Sequence, residues 1–236
     1  MLTVQKLLIS SLIFISAAAA AQTRVAADVE VKTVMDGRAT TVRSQLYCTA
    51  SGERIQVYNG YPAHYTFTNL QGELRTYFPV SNEVFTDRKD DYSSRDEVLY
   101  LFLSGKSDDM GLSGYGYRLV SSTTEDGLLK RSYVPLKGHG KGVSRVEIVF
   151  EDYLPIYIGY FDDKGALVSK TYLSSFARYQ NVMFPGRITS IAYTAKKDST
   201  ITRSIYSNIR VDSDDPMFQF RIPADARSIS SAKTRK

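Results

Sequence analysis

The sequence has very little of what most metal sites and disulfide frameworks are made of. In 236 residues it contains one cysteine, Cys48, two histidines, His64 and His139, and no tryptophan. One cysteine excludes an internal disulfide, so stability has to come from a packed core. Two separate histidines and one thiol do not provide the converging ligands that a metal needs. The sequence therefore predicts no metal and no other cofactor.

Residues that could carry catalysis are equally scarce. A nucleophile pair of Cys48 with His64 or His139 is formally available, but a lone cysteine after β-forming residues is usually a small buried apolar side chain. The glycine-rich stretch 138–142 matches neither a Walker loop nor GxGxxG. No inward-facing carboxylate pair lies on a predicted strand, as a glycosidase needs. The sequence favours a protein that is not an enzyme.

Negative charge is missing from both ends of the chain. Of the 30 basic residues, one lies in 1–21 and four lie in 227–236, and neither end contains an acid. The segment 22–226 therefore holds 25 basic and 25 acidic residues and has no net charge. A nucleic-acid-binding body needs a basic face to displace counterions from phosphates, so no nucleic-acid partner is expected. The segment 227–236 is predicted to be a mobile basic tail, which either touches an anionic membrane or simply solubilises the chain.

The long apolar run at the start of the chain is too short for a good membrane span. Lys6 precedes the apolar stretch 7–15, and five alanines end the segment at position 21. This order is typical of a cleavable signal peptide, 1–21, with an uncleaved membrane anchor as the alternative. No cysteine follows the cleavage site, so the mature chain is expected to be exported without a lipid anchor.

Turn-forming pairs divide the rest of the chain into short segments. Asn-Gly and Asp-Gly pairs between alternating residues are the strongest hairpin signals. No βαβ rhythm occurs, so the pattern predicts an antiparallel sheet of many strands in one domain, 22–226. The pairs are Asp36-Gly37, Ser51-Gly52, Asn59-Gly60, Gln71-Gly72, Asp126-Gly127 and Lys164-Gly165.

Alternation within the segments predicts which side chains share a face of the sheet. Both faces of segment 154–161 are apolar, so this strand is expected to be covered on both sides. A register error of one residue would exchange the faces. The predicted shared faces are Tyr61, Ala63, Tyr65 and Phe67; Val146, Ile148 and Phe150; Leu154, Ile156, Ile158 and Tyr160; and Ile201, Ile205, Ile209 and Val211.

Residues 94–105 carry the clearest helix signal. Ser94 to Glu97 fits a capping box, Val98–Leu103 is six apolar residues in a row, and Gly105 suits a C-cap. Six consecutive apolar positions cover the whole circumference of a helix that is too short to be stable alone. We expect this helix to pack against the curved sheet, either as a plug at one end of a barrel or as a movable lid.

Six further segments have aromatic, proline and glycine residues in a recognisable order over about residues 29–223. They are Tyr61-Pro62-Ala63-His64-Tyr65-Thr66-Phe67, Leu70-Gln71-Gly72-Glu73-Leu74 to Tyr77-Phe78-Pro79, Asn82-Glu83-Val84, Asp162-Asp163-Lys164-Gly165, Phe184-Pro185-Gly186-Arg187-Ile188 and Met217-Phe218-Gln219-Phe220-Arg221-Ile222-Pro223. Together they resemble the periplasmic outer-membrane lipoprotein carrier (LolA-like) family, and the last two look like its closing strands. The resemblance implies an unclosed antiparallel β-barrel, helices over its mouth, a hydrophobic cavity for lipoprotein acyl chains, and the periplasm of a Gram-negative-type bacterium.

The chain departs from the family pattern at two places. The family commonly has an arginine immediately before the strand proline, implicated in handing on the lipoprotein, and this handover position is Tyr61 here. The family also usually opens with an amphipathic helix over the cavity. Residues 22–34 instead alternate as a strand would, so the helix at 94–105 is expected to be the main cover.

The leading hypothesis is a non-catalytic periplasmic carrier or chaperone that binds acyl chains of a lipoprotein or another lipid. Burial of apolar chain, at about 25 cal/mol per Å², would drive binding. Membrane-bound donor and acceptor proteins would be its partners, and it would act as a monomer. The residues predicted to line the cavity are Tyr65, Phe67, Val146, Ile148, Phe150, Ile156 and Ile158 from the sheet, and Leu99, Phe102 and Leu103 from the helix.

Two alternatives remain. The same fold could serve as an envelope sensor or protein-interaction module, with its cavity filled by its own side chains. An exported hydrolase would depend on Cys48 and the two histidines alone.

Overall fold

The structure is a computed structural model that describes residues 23–89, 92–140, 142–194 and 198–230. These residues form fourteen strands, one α-helix and several short 3-10 turns. The strands are β1 Arg24–Met35, β2 Arg38–Thr49, β3 Arg54–Tyr58, β4 His64–Thr68, β5 Glu73–Phe78, β6 Glu83–Arg88, β7 Tyr117–Glu125, β8 Leu128–Pro135, β9 Arg145–Glu151, β10 Leu154–Phe161, β11 Leu167–Tyr179, β12 Val182–Tyr193, β13 Ser199–Val211 and β14 Arg227–Ile229. The helix α1 is Val98–Leu103.

The fourteen strands join into one open sheet. Its order is β14-β6-β5-β4-β3-β2-β1-β13-β12-β11-β10-β9-β8-β7. Neighbouring strands are antiparallel, except that β14 runs parallel to β6. The edge strands β7 and β14 do not pair with each other, so the sheet is an unclosed half-barrel. This confirms the predicted mainly β fold.

The chain starts in the middle of the sheet, runs strand by strand towards one edge, crosses to the opposite edge and returns to the middle. Strands β1 to β6 form a meander, and the segment that carries α1 then leads from β6 to the opposite edge at β7. Strands β7 to β13 return, and β13 pairs with β1. On this path α1 packs against β1, β2 and β12, near the centre of the sheet. We call the face that α1 covers the inner face and the opposite one the outer face.

All six predicted turn pairs connect neighbouring strands. Asp36 and Gly37 have φ of 50° and 71°, and Asp126 and Gly127 have 51° and 80°. Two consecutive positive φ values are the signature of the type I′ hairpin, which Asp-Gly favours. The turns therefore form as local chemistry predicts.

The predicted faces of β10 are wrong at its start. The register shifts between Pro155 and Tyr157, so Ile156 is an extra residue at a β-bulge. Pro155 pairs with Phe150 and Ile158 with Ile148. Pro155 therefore shares the inner face with Ile158, and Ile156 does not.

A second irregularity exchanges the predicted faces within β13. Ser207 pairs with Asp28, whereas Arg210 pairs with Ala26, and Asn208 between them has a φ of 49°. Ile209 is buried as predicted, but Ile205 is 38% exposed on the outer face. The inner position belongs to Tyr206, which pairs with Val29.

The predicted helix is shorter than residues 94–105. Ser94–Asp96 is a 3-10 turn whose cap is Ser93, not Ser94, because the Ser93 hydroxyl accepts from the Arg95 amide. Glu97 has an extended backbone with φ −66° and ψ 118°, so it separates the turn from α1. The Ser94 hydroxyl instead donates to the Gly52 carbonyl.

Of the two predicted terminal segments, only the start of the basic tail lies within the described residues. The predicted signal, 1–21, and the last part of the predicted tail, 231–236, lie outside the described residues. The start of the tail is not without secondary structure, because Arg227–Ile229 forms β14. Arg227 there forms an ion pair with Glu83.

Candidate functional site

The inner face is filled by α1. All five residues from Leu99 to Leu103 are at most 8% exposed. Helix α1 has no polar side and is buried on every side, as its six consecutive apolar residues predict. The concave side of the half-barrel is therefore a packed core that contains its own helix.

Seven of the ten predicted cavity residues come together in this core. The Phe102 ring lies 5.9 Å from Phe176 and 6.2 Å from Phe184, between centroids. Such ring distances are typical of favourable aromatic pairs. The seven are Leu99, Phe102, Leu103, Val146, Ile148, Phe150 and Ile158.

A Schellman motif ends α1. The amide of Lys106 donates to the Leu101 carbonyl at 2.8 Å, and that of Gly105 donates to Phe102 at 3.3 Å. Gly105 has a φ of 70°, a conformation that glycine adopts at no steric cost. This confirms the predicted C-cap, and it turns the chain away from the core after only six helical residues.

One ion pair connects the start of α1 to the sheet. Arg54 Nε on β3 lies 3.2 Å from Glu97 Oε2. The two side chains are 25% and 11% exposed, so the charges are largely withdrawn from water. Burial is the largest influence on the pKa of Arg54 and lowers it, but Glu97 together with Cys48, Tyr58 and Tyr206 outweighs burial, so the net pKa is raised. Arg54 therefore stays charged.

The ion pair is incompletely satisfied by hydrogen bonds. Arg54 Nε and Glu97 Oε1 are both buried without a hydrogen-bond partner among the described residues. A buried charge that lacks its hydrogen bonds is costly. The contact therefore positions the start of α1 at a cost in free energy.

The Cys48 thiol lies in the same core and is 1% exposed. Burial and then the charge of Glu97 raise its pKa well above the usual value. The same two causes raise the pKa of Tyr206. The thiol is therefore held protonated, which disfavours nucleophilic chemistry.

Tyr65 and Phe67 lie on the other side of the sheet. They pack with Tyr47, Ile55 and Val57 in a smaller outer cluster. The structure therefore does not place them with the other predicted cavity residues. Tyr65 and Phe67 face outwards because side chains alternate along a strand, and the inner-facing residues of β4 are His64, Thr66 and Thr68.

A C-terminal segment covers this outer cluster. We call Asp215–Ile222 the strap; it contains a 3-10 turn over Pro216–Gln219 that begins at the Asp215 cap. The Phe220 ring lies 5.2 Å from Tyr65, 5.9 Å from Phe67 and 6.1 Å from Tyr77. The segment 217–223, expected to be a closing strand, is a cover and not a strand. The sequence signal that we missed is Asp215-Pro216 at a helical start, followed by Met217, Phe218 and Phe220.

A cavity of about 160 Å³ lies beneath the strap. An apolar cavity of that size holds a benzene-sized ligand, not a long chain. Charged side chains flank it, since Glu73, Arg75 and Arg221 also line it. Its apolar lining is formed by Tyr47, Ile55, Phe67, Phe218, Phe220 and Ile222.

The handover position stands apart from both clusters. Tyr61 lies in the turn between β3 and β4 and is fully exposed. Val80, in the turn between β5 and β6, is 92% exposed at the same end of the sheet. Tyr61 therefore lines neither the inner-face core nor the strap cavity.

The histidines have local contacts that explain their positions. The His64 ring stacks on Tyr58 with a centroid distance of 4.5 Å, and its Nδ1 lies 2.8 Å from the Pro62 carbonyl oxygen. The His139 ring lies against Gly116, where a Cβ would collide with it. Within the described ranges no three His, Cys, Asp or Glu side chains are grouped to hold a metal ion. No helix in those ranges is long and apolar enough to cross a membrane.

Comparison of the described fold with solved structures identifies its relatives in shape. A LolA superfamily protein from Nitrosomonas europaea superposes with a TM-score of 0.56 at 13% identity, covering 85% of this chain and 91% of the other. The chain has a LolA-like fold. A domain from Vibrio parahaemolyticus, described as a putative outer membrane lipoprotein-sorting protein, superposes with a TM-score of 0.55 at 13% identity, covering 82% of this chain and 87% of the other.

Another neighbour in shape is a DUF1329 family protein from Desulfovibrio piger. It gives a TM-score of 0.57 at 15% identity and covers 85% of this chain and 90% of that one. No sequence-family model matches the chain, and no curated protein sequence matches it. The resemblance predicted from short segments is therefore confirmed at the level of the fold, which the chain shares with these proteins at low identity.

Proposed function

We propose that this protein is a non-catalytic periplasmic carrier that holds acyl chains of a lipoprotein or another lipid on the inner face of its half-barrel. The observation that carries the proposal is that α1, an entirely apolar helix, occupies the inner face of a LolA-like sheet. In the ligand-free protein α1 takes the place of the acyl chain. On binding, the chain replaces it against the residues around Phe184, Val146 and Ile148.

The free energies of this exchange are close to balanced. Undocking α1 exposes five large side chains, at roughly 2 kcal/mol each, or on the order of 10 kcal/mol in total. Burial of the methylenes of a 16-carbon chain contributes about 12 kcal/mol. Near-balance suits a carrier, because cargo must be released as well as bound.

The short length of α1 and its weak attachment also favour its displacement from the inner face by an acyl chain. Six residues are too few for a helix to be stable alone, and its entry ion pair is poorly satisfied. The chain leaves α1 through Gly105 and meets a second left-handed glycine at Gly111. A short segment with these properties can swing without unfolding the sheet.

The test of this proposal is uptake of a fluorescent 16-carbon fatty acid by the purified protein. We expect saturable binding near one equivalent, and an acyl lipid mass on the protein by native mass spectrometry after expression in an exporting host. Absence of both would contradict the proposal. Phe184→Glu places a charge on the inner face of β12 beneath α1 and is expected to abolish uptake. Thr189→Glu, on the outer face of the same strand, is the matched control and is expected to keep it.

A second candidate function is a sensor or protein-interaction module. It is favoured by the complete filling of the inner face and by the fully exposed Tyr61 at a turn. In that case the α1 core is permanent and a partner docks at the turns. Capture of one stoichiometric protein partner that is lost with Tyr61→Ala, by a protein that takes up no fatty acid, would support this candidate over the carrier.

A further inference from the structure

The strap reaches β1 at Ala26, but the outer face of strands β10 to β13 and of the remainder of β1 lies outside the outer cluster. Cross-strand pairing brings its side chains into continuous rows. The first row is Tyr157, Tyr172, Thr189, Arg203 and Lys32, each paired with the next. The second row is Gly159, Lys170, Ile191, Ile201 and Val34. We call these two rows, with Arg187, Ile205 and Tyr193 beside them, the outer patch.

Charge of one sign dominates the three middle strands of the outer patch. Strands β11, β12 and β13 together contain no Asp or Glu, although the chain has 25 acids. Their basic residues are Lys170, Arg178, Arg187, Arg203 and Arg210. The described body is neutral in sum, but its charges are segregated.

Two of the acids beside the outer patch are held in ion pairs. Glu30 on β1 binds Arg43 at 2.7 Å, and Glu147 on β9 lies 3.4 Å from Arg145. Arg203 and Lys32 lie directly opposite each other, and like charges in that position are destabilising. Within the described ranges neither has an ion-pair partner. An external anion would relieve this repulsion.

Exposed tyrosines accompany the basic residues. Tyr172 is 41% exposed and Tyr193 is 38% exposed. The Lys170 ammonium lies 5.5 Å and 5.9 Å from the centres of these two rings. Contacts with the hydroxyls of Tyr193 and Tyr172 raise the pKa of Lys170, which stays protonated.

We infer that the outer patch binds an anionic lipid surface. Lys32, Lys170 and Arg203 would meet lipid phosphates, and Tyr172 and Tyr193 would lie at the headgroup level, where tyrosine is enriched at membranes. The exposed aliphatic side chain of Ile205 adds apolar contact. The outer patch mixes basic, aromatic and aliphatic side chains over several adjacent strands, and this broad mixture favours a lipid surface over an acidic peptide, which needs a defined track.

This surface is separate from the site under α1. The rows of the outer patch point away from the core that holds Phe102 and Phe184. The inference goes beyond the proposed carrier function, and either can fail without the other. If both hold, the protein approaches a membrane with its outer patch, and the inner face with α1 stays free.

The absence of tryptophan allows a direct test. Tyr172→Trp introduces a single fluorophore into the outer patch, and Tyr61→Trp introduces one at the exposed turn as a matched control. With vesicles of 30% phosphatidylglycerol in phosphatidylcholine at low salt, the emission of the Tyr172→Trp variant is expected to shift to the blue and that of the control to stay unchanged. An unshifted emission from the outer-patch fluorophore, or an equal shift in both variants, would overturn the inference.

Charge variants give the second arm of the test. Lys32→Gln with Arg203→Gln is expected to lower vesicle partitioning by about 30-fold, at about fivefold per charge. The matched control is Arg88→Gln with Lys137→Gln, two exposed basic residues outside the patch, and it is expected to bind as the wild type does. Deletion of 231–236 should also leave binding in place. Binding lost only with that deletion, or binding to polyglutamate but not to vesicles, would overturn the inference.

Discussion

The guanidinium of Arg54 holds the carboxylate of Glu97 directly before α1, with Nε 3.2 Å from Oε2. This contact joins β3 to the helix that fills the inner face. Because both groups are largely buried and lack part of their hydrogen bonds, the balance between a docked and an undocked helix depends on them.

Glu97→Gln is expected to loosen α1. Arg54 then keeps a buried charge without its partner, which destabilises the docked state by about 1–2 kcal/mol, allowing for its partial exposure. Cys48 lies in the core beside α1, so the rate of thiol labelling under native conditions reports undocking. We expect labelling about tenfold faster. Glu147→Gln, which breaks an outer-face pair with Arg145, should leave the rate unchanged, and equal effects of the two variants would contradict the role of Glu97.

Phe102→Ala is expected to lower the free energy of unfolding by about 3–4 kcal/mol. The ring fills the space between Phe176 and Phe184, and its removal leaves a cavity. An acyl chain can occupy part of that cavity, so hexadecanoic acid should raise the midpoint of thermal unfolding more in this variant than in the wild type. The same or a smaller increase in the variant would argue that the acid binds elsewhere.

Phe220→Ala distinguishes fatty-acid binding in the strap cavity from binding on the inner face. The ring contacts Tyr65, Phe67 and Tyr77 on the outer face, so its loss should destabilise the protein by about 2–3 kcal/mol. Fatty-acid uptake should be unchanged, because the 160 Å³ cavity under the strap is too small for a long chain. Loss of uptake in a variant that is still folded by circular dichroism would move the acyl site to the strap.

Stability should decline in alkali, partly through Tyr47. Burial and then Asp215, which accepts a hydrogen bond from the phenol, raise its pKa to about 12. The unfolded pKa is about 10, so the neutral phenol stabilises the fold fully below pH 10 and loses this contribution as the pH rises towards 12. In urea titrations the advantage of the wild type over Tyr47→Phe should shrink by about 1–2 kcal/mol between pH 9 and 11.5. A constant difference would contradict this assignment.

Local chemistry in the sequence predicts much of the fold. The six turn pairs, the two-residue alternation and the apolar run of α1 each correspond to the element expected. Which face of the sheet a residue occupies is harder to predict, because one inserted residue exchanges the two faces of a strand. Ile156 at its bulge and Asn208 at a positive φ do this, and no pattern of alternation marks either position.

The candidate site was only partly predictable for the same reason. Phe102 and Val146 were assigned to one apolar set, and they do lie in one core. Tyr65 and Phe67 belong to a second apolar face, which the strap covers. Two apolar surfaces on opposite sides of one sheet have the same alternating signature, so the sequence could not separate them.

Amide hydrogen exchange at residues 98–103, with and without bound hexadecanoic acid, tests the central claim most directly. If an acyl chain replaces α1 on the inner face, exchange in this segment should accelerate on binding, while the strands beneath it, including 184–188, become no less protected. Unchanged protection of 98–103 in a protein that has demonstrably bound the acid, or a change confined to the strap at 215–222, would contradict it.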